Sequence, residues 1–467
     1  MRRRLPTACP ADRAPPPQGG GKFKAGRGWV KVRARGRQRN RTCKEVVWLE
    51  KALEGVRQMR TRIMATFTAT LVICWLLAFG AGPSTGQGVW SISTPSDFGT
   101  GDVRSIHSMA VYNSKLYVGL ENSTSGGQIW SYDGSGWIRL EHPWDEANAI
   151  VASMAVYGGK LYVGTSCGTA DISIIEDYPG CEVWSYDGNN WQQVNADGFG
   201  NADNKGVMSM TVTMSPEGDK LYAGTWQAGT PQCPSPAAEV WCYDGANWSC
   251  LNPGGFGQTN SQWVTAMAVF EDKLYAAEGE ARIWRYDGGT SWTQVNTSNF
   301  GTEWTDRVDS LAVYHGNLYA ASTWEWIAQP NGTRIWRYDG GTSWTQVNET
   351  GFGSIDNRAA MAMTVFEDKL HVGTFNTDRS VGCEVWCYDG EGWDKVNESG
   401  FGDAVNNTSV GAMAEFDSKL YVGTFRDDTI PASSQGEALE ETEGRARVWV
   451  KGDGGAVSAF FFAEGTC

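Results

Sequence analysis

An all-β ring of seven four-stranded sheets is what this chain of 467 residues predicts. Three observations predict it. The phrase Lys160-Leu161-Tyr162-Val163-Gly164-Thr165 returns with small changes from Lys115, Lys220, Lys273, Asn317, Lys369 and Lys419. Each copy follows a short apolar run whose Met or Leu sits at 109, 154, 210, 267, 311, 363 and 413, a mean spacing of about 51 residues, which is a propeller or solenoid period. The copies are also incomplete at opposite ends of the chain, so that one terminus supplies what the other lacks.

The copy from Val151 to Gly200 sets the pattern of elements. Ser153 to Tyr157 is a short run of strand formers, and Gly158-Gly159 supplies the positive φ of a two-residue hairpin turn. Lys160 to Thr165 is a second strand and Glu182 to Asp187 a third. Gly188-Asn189-Asn190 turns the chain into a fourth, Trp191 to Val194. Four short antiparallel strands without helical period make one blade of a β-propeller.

The fourth-strand signal occurs at Trp137, Trp191, Trp248, Trp292, Trp344 and Trp393, one short of a full set. The last copy stops after its third strand, Arg447 to Val450, while Val89-Trp90-Ser91-Ile92 stands alone before Asp97-Phe98-Gly99. The N-terminal strand is therefore expected to complete the seventh blade, which removes the open sheet edges. The residue before each Met position is always small (Ser108, Ser153, Ser209, Ala266, Ser310, Ala362, Ala412), as crowding of first strands near an axis requires.

Charge divides the chain. Residues 1–63 hold 18 Lys or Arg against 4 Asp or Glu, net +14, and the remainder is at −28. A propeller of that charge is expected to repel nucleic acid and anionic membrane. Residues 1–58 read as a basic disordered extension or as untranslated upstream sequence. Residues 59–88 read as a signal peptide, with a signal anchor through residues 63–82 as the alternative, since about 20 apolar residues suffice to span a bilayer. The propeller then occupies 89–455, outside the cytoplasm (secreted or at the cell surface), with a short tail over 456–467. A monomer is expected.

Eight cysteines follow the export segment. Cys167 and Cys181 share one inter-strand loop, and Cys242 and Cys250 lie on adjacent strands at near-opposed positions, so both pairs are disulfide candidates. No Cys-x-x-Cys or paired-histidine motif points to a metal, and no cofactor motif appears. Sequons occur at Asn122, Asn247, Asn296, Asn331, Asn348, Asn397, Asn406 and Asn407, several of them because the repeat itself contains Val-Asn.

Loop lengths divide the two faces. The turns at Asn113-Ser114, Gly158-Gly159, Glu271-Asp272 and His315-Gly316 are tight, whereas the second-to-third loops (166–181, 226–238, 324–333, 425–446) and the blade connections vary. In an up-down sheet the latter sets emerge together, so one face is plain and the other decorated. The decorated face gathers Trp226, Trp324, Trp326, Phe375 and Phe425, with Trp263 and Trp304 from the connections. Asp203, Asp306, Arg307, Asp356 and Arg358 accompany them. Rings beside carboxylates and amides suit sugars, which stack their apolar faces and hydrogen-bond through hydroxyls. Of the four histidines, His371 replaces a repeat Tyr and is expected to be packed, and His107 stands where it can reach the channel mouth.

The order Lys-Leu-Tyr-Val-Gly, a variable loop, then Glu-Val-Trp-Ser-Tyr-Asp-Gly-x-x-Trp resembles the kelch-type repeat of kelch proteins and of the central domain of galactose oxidase-like proteins. Tyr186 and Trp191 match it, and Gly164-Thr165 departs from its paired glycine. The resemblance implies a seven-bladed propeller closed by strands from both termini, and no single activity. The expectation is an exported, non-catalytic binding module with a glycan or protein ligand on the decorated face. A polysaccharide lyase or hydrolase using carboxylates at the channel mouth, and a surface structural protein, are the alternatives.

Overall fold

The computed structural model describes residues 89–94, 98, 103–167, 178–213, 218–227, 237–258, 261–302, 307–323, 331–427 and 446–452. The chain divides into two compact units, residues 1–82 and 83–467. The first unit, and with it the basic extension and export segment expected from the sequence, lies outside the described residues, as does the tail from 453.

The second unit is a β-propeller. Strand β1 (Trp90–Ile92) precedes blade 1, formed by β2 (Ile106–Tyr112), β3 (Lys115–Leu120), β4 (Ile129–Tyr132) and β5 (Trp137–Arg139). Blade 2 is β6 (Ile150–Tyr157), β7 (Lys160–Ser166), β8 (Val183–Tyr186) and β9 (Trp191–Gln193). Blade 3 is β10 (Asn204–Thr213), β11 (Lys220–Gln227), β12 (Val240–Tyr243) and β13 (Trp248–Cys250). Blade 4 is β14 (Val264–Phe270), β15 (Lys273–Glu278), β16 (Arg282–Gly288) and β17 (Ser291–Gln294). Blade 5 is β18 (Arg307–Tyr314), β19 (Asn317–Thr323), β20 (Arg334–Gly340) and β21 (Ser343–Gln346). Blade 6 is β22 (Asn357–Phe366), β23 (Lys369–Asn376), β24 (Val385–Tyr388) and β25 (Trp393–Lys395). Blade 7 has β26 (Ser409–Phe416), β27 (Lys419–Phe425) and β28 (Ala446–Lys451). Its outer strand is β1, paired antiparallel to β28 in the register Trp90↔Lys451, Ser91↔Val450, Ile92↔Trp449. The innermost strands neighbour one another around the ring, β26 returning to β2.

Two sets of aromatic contacts hold each blade to the next. The outer-strand indoles of Trp90, Trp137, Trp191, Trp248, Trp292, Trp344 and Trp393 each donate to a backbone carbonyl of the preceding blade at 2.8–3.1 Å. The Phe that trails a fourth strand stacks on the third-strand Trp of the following blade: Phe199 on Trp241 at 4.8 Å, Phe300 on Trp336 at 4.7 Å, Phe352 on Trp386 at 4.8 Å, Phe401 on Trp449 at 4.8 Å. The same Phe meets that blade's outer Trp edge-on, as Phe401 meets Trp90 at 5.1 Å. Between blades 1 and 2, Trp144 stands in for the Phe.

Near the axis, Ser108, Ser153, Ser209 and Ser310 donate from Oγ to carbonyls of the next blade's inner strand at 2.6–3.1 Å. Where blade 4 has Ala266, Thr265 makes the bond instead, to the Val308 carbonyl at 2.5 Å. Four of the seven small residues expected for close approach therefore also bond across blades. Every inner strand carries a β-bulge one residue before them, at His107, Ala152, Met208, Thr265, Asp309, Met361 and Gly411. A bulge re-aims its extra residue.

The sequon asparagines and the cysteines take definite places in the fold. Among the sequons, Asn122, Asn296, Asn348, Asn397 and Asn407 are buried. The Oδ1 atoms of Asn296, Asn348 and Asn397 accept the N–H groups of Ile283 in β16, Ile335 in β20 and Val385 in β24 at 2.7–2.8 Å, so these amides are structural. Asn247 is the exposed one, in the turn before β13. The pairing expected of Cys242 with Cys250 needs correction. Cys250 pairs with Trp241 and Cys242 with Ser249, a one-residue offset that points the two thiols to opposite sheet faces. Cys167 and Cys181 are both fully buried, with backbone N–H groups on the consecutive carbonyls of Lys205 and Asn204, and both are thiols in the structure. Burial, with the neighbouring Cys167, pushes the Cys181 thiol upward.

Candidate functional site

The decorated-face residues that the structure describes stand where second strands end and where inner strands begin. The end of each second strand leans on the start of the next blade's inner strand. Trp226, at the end of β11, bridges Trp263, just before β14, across the junction of blades 3 and 4. Trp226 also packs on the cluster of Cys167 and Tyr178. Phe375, at the end of β23, and Phe425, at the end of β27, both pair in register with Ser409 of β26, which sits between them at the junction of blades 6 and 7. Phe425 then faces the His107 ring of blade 1 at 6.3 Å. Expected site residues distant in sequence thus fall into two aromatic groups, both at blade junctions.

The charged candidates take different positions. Arg307 opens β18, and its Nε donates to Asp309, which also accepts from Thr323. Asp203 is half-buried in the turn before β10, where its N–H donates to Asn201 Oδ1 at 3.0 Å. Asp356 holds Thr377 Oγ1 at 3.4 Å, tying the connection before β22 to the end of β23. Arg358 is buried beside Phe375: the register steps from Asn357↔Asn376 to Ala359↔Phe375 and leaves Arg358 in a bulge between them. Trp304, Trp324, Trp326 and Asp306 lie outside the described residues.

Three groupings escaped the sequence. Ser105 Oγ lies 2.7 Å from His107 Nε2 and donates to Glu121 at 2.6 Å, while Glu121 lies 3.3 Å from the same Nε2. Burial raises the Glu121 carboxyl, but His107 and Ser105 outweigh it and hold the group below its ordinary value. Both oxygens address one imidazole nitrogen. A nucleophile relay needs the acid on the other, so this is a hydrogen-bonded cluster and not a Ser-His-acid triad. In blade 4, buried Arg282 joins Glu278 at 2.5 Å and Glu280 at 2.6 Å, and Ser261 and Trp284 also donate to Glu278. At the junction of blades 2 and 3, buried Lys205 donates to the Tyr178 carbonyl at 3.0 Å and lies over its ring. Aligning the copies finds His107 as a departure at its repeat position, and Lys205 at a position where blade 6 has Arg358. The partners Glu121 and Tyr178 come from other strands and loops, and no local signal marks them.

The face expected to be plain is not uniform. In blade 3, β10 ends at Thr213 and β11 starts at Lys220, whereas two residues separate the corresponding strands of the other blades. Beside it a cavity of about 720 Å³ opens between blades 2 and 3, lined by Tyr157, Lys160, Tyr162, Gln192, Asp219 and Tyr243.

No family model matches the sequence, and no curated protein matches it. Among solved structures the chain is similar to one titled "YCF48 bound to D1 peptide", at 10% identity and a TM-score of 0.46, covering 78% of this chain and 96% of that one. It is likewise similar to the WD40 β-propeller domain of Doa1, at 11% identity and a TM-score of 0.44, covering 77% of this chain and 96% of that one. At these identities the likeness is one of fold.

Proposed function

We propose that this divergent kelch-type propeller is an extracytoplasmic, non-catalytic binding module that holds a glycan on its decorated face. One observation carries the reading. The fold uses fourteen tryptophans in its two inter-blade rings, and Trp144 in place of a trailing Phe. The five left in the propeller segment, Trp226, Trp263, Trp304, Trp324 and Trp326, all fall at second-strand ends, second-to-third loops or blade connections. Tryptophan beyond those rings, at a loop-bearing face, suits stacking on the apolar faces of sugar rings. The basic, then apolar, segment over 59–88 supports export. A glycan array probed with the 89–455 fragment tests the reading. Binding should fall at least tenfold in Trp226→Ala and Trp263→Ala variants that retain the wild-type melting temperature. Wild-type protein that binds no glycan, or binding indifferent to both substitutions, would refute it.

A further inference from the structure

We infer that Arg358 is the receptor for a single carboxylate on that ligand, making the preferred glycan one with an isolated uronate or similar acidic sugar; this rests on the glycan reading above. Arg358 is only 8% exposed, yet its Nε is sealed from solvent with no acceptor, and no other atom of its guanidinium has one among the described residues. A guanidinium cannot shed its proton, so Arg358 is a permanent cation whose terminal nitrogens are left to donate to a ligand.

The acids nearest in register are committed elsewhere. Asp356 holds Thr377, Asp378 accepts from Ser380, and Glu384 takes Lys395, Asn357 and Trp386. The repeat supplies its own comparison. Lys205 occupies the same place in blade 3, after Asn204 and in a bulge before Gly206, but its ammonium is satisfied by the Tyr178 carbonyl and ring. Blade 6 therefore keeps the cation of this position without the partner. In the strand pairing Arg358 stands one residue before Ala359, the partner of half-buried Phe375, so a bidentate donor for a carboxylate and a ring for a sugar face belong to the same junction. Residues 64–467 carry −28, which opposes any polyanion. The chemistry thus selects one carboxylate in an otherwise neutral glycan.

The test compares a glucuronate-terminated oligosaccharide with its neutral glucose-terminated counterpart on wild type and Arg358→Met, by calorimetric titration and thermal melting. Wild type should prefer the acidic probe at least tenfold. Arg358→Met should lose that preference and melt without ligand at the wild-type temperature or higher. A preference that survives the substitution, or a lower melting temperature showing that the guanidinium is structural, overturns the inference. Wild type that binds the neutral probe equally well overturns this inference alone, whereas absence of all glycan binding, including binding replaced by an Arg358-dependent peptide carboxylate, overturns the glycan reading with it.

Discussion

His371 occupies a position filled by tyrosine in the other six blades (Tyr117, Tyr162, Tyr222, Tyr275, Tyr319, Tyr421). It is 1% exposed, its Nε2 has no partner, and burial pulls its pKa down to about 4. The imidazole is therefore neutral in the fold, and the unfolded chain binds its proton first. Stability is full above about 6.5, the unfolded value, and falls as pH drops toward the folded value, by on the order of 3 kcal/mol in all. Tyr222 faces Cys242 across blade 3 as His371 faces Cys387 across blade 6, so the fold already accommodates tyrosine there. Melting of His371→Tyr between pH 7 and pH 4 should show a flatter loss of stability than wild type; parallel profiles would refute the account. The packed histidine was legible because it broke a repeat. Glu121 was not, because its partner His107 comes from another strand and only strand pairing joins them.

At the scale of the element, the recurrent Gly of the second strand is explained by the next blade. A Cβ on Gly119, Gly164, Gly224 or Gly373 would lie 2.3–2.7 Å from Val151, Val207, Val264 or Val410 of the following inner strand. The tightest position is Gly411, the bulged residue of blade 7, where a Cβ would stand 1.8 Å from the Ile106 carbonyl oxygen. Backbone cannot yield there as a side chain can. Gly411→Ala should cost about 3 kcal/mol or more, whereas Gly136→Ala, with open space around it, should be close to neutral. Denaturant unfolding of the two variants checks this, and similar midpoints would contradict it. Strand order, hairpin turns and small inner residues could be read from the sequence because they depend on neighbours in the chain. The bulges could not, since a bulge is defined by its partner strand.

Across the whole molecule, β1 closes the ring. It covers the edge of β28, Trp90 donates to the Val396 carbonyl at 2.8 Å, and the Ser93 carbonyl receives Trp137 at 2.8 Å. A chain beginning at residue 96 loses all three and exposes a strand edge. It should melt lower than one beginning at 83 and self-associate in light scattering, and a peptide spanning 86–95 should restore the melting temperature. Unchanged melting and a monodisperse truncated chain would show that the ring does not need this strand. The sequence by itself determined the number of blades, their strand order and the strand that shuts the ring, because each repeat encodes its own alternation and turns. Only the tertiary structure decided which asparagines are buried, that Cys242 and Cys250 point apart, and that Arg358 stands without a partner. Those properties depend on register and on contacts between blades, and no local pattern of residues carries them.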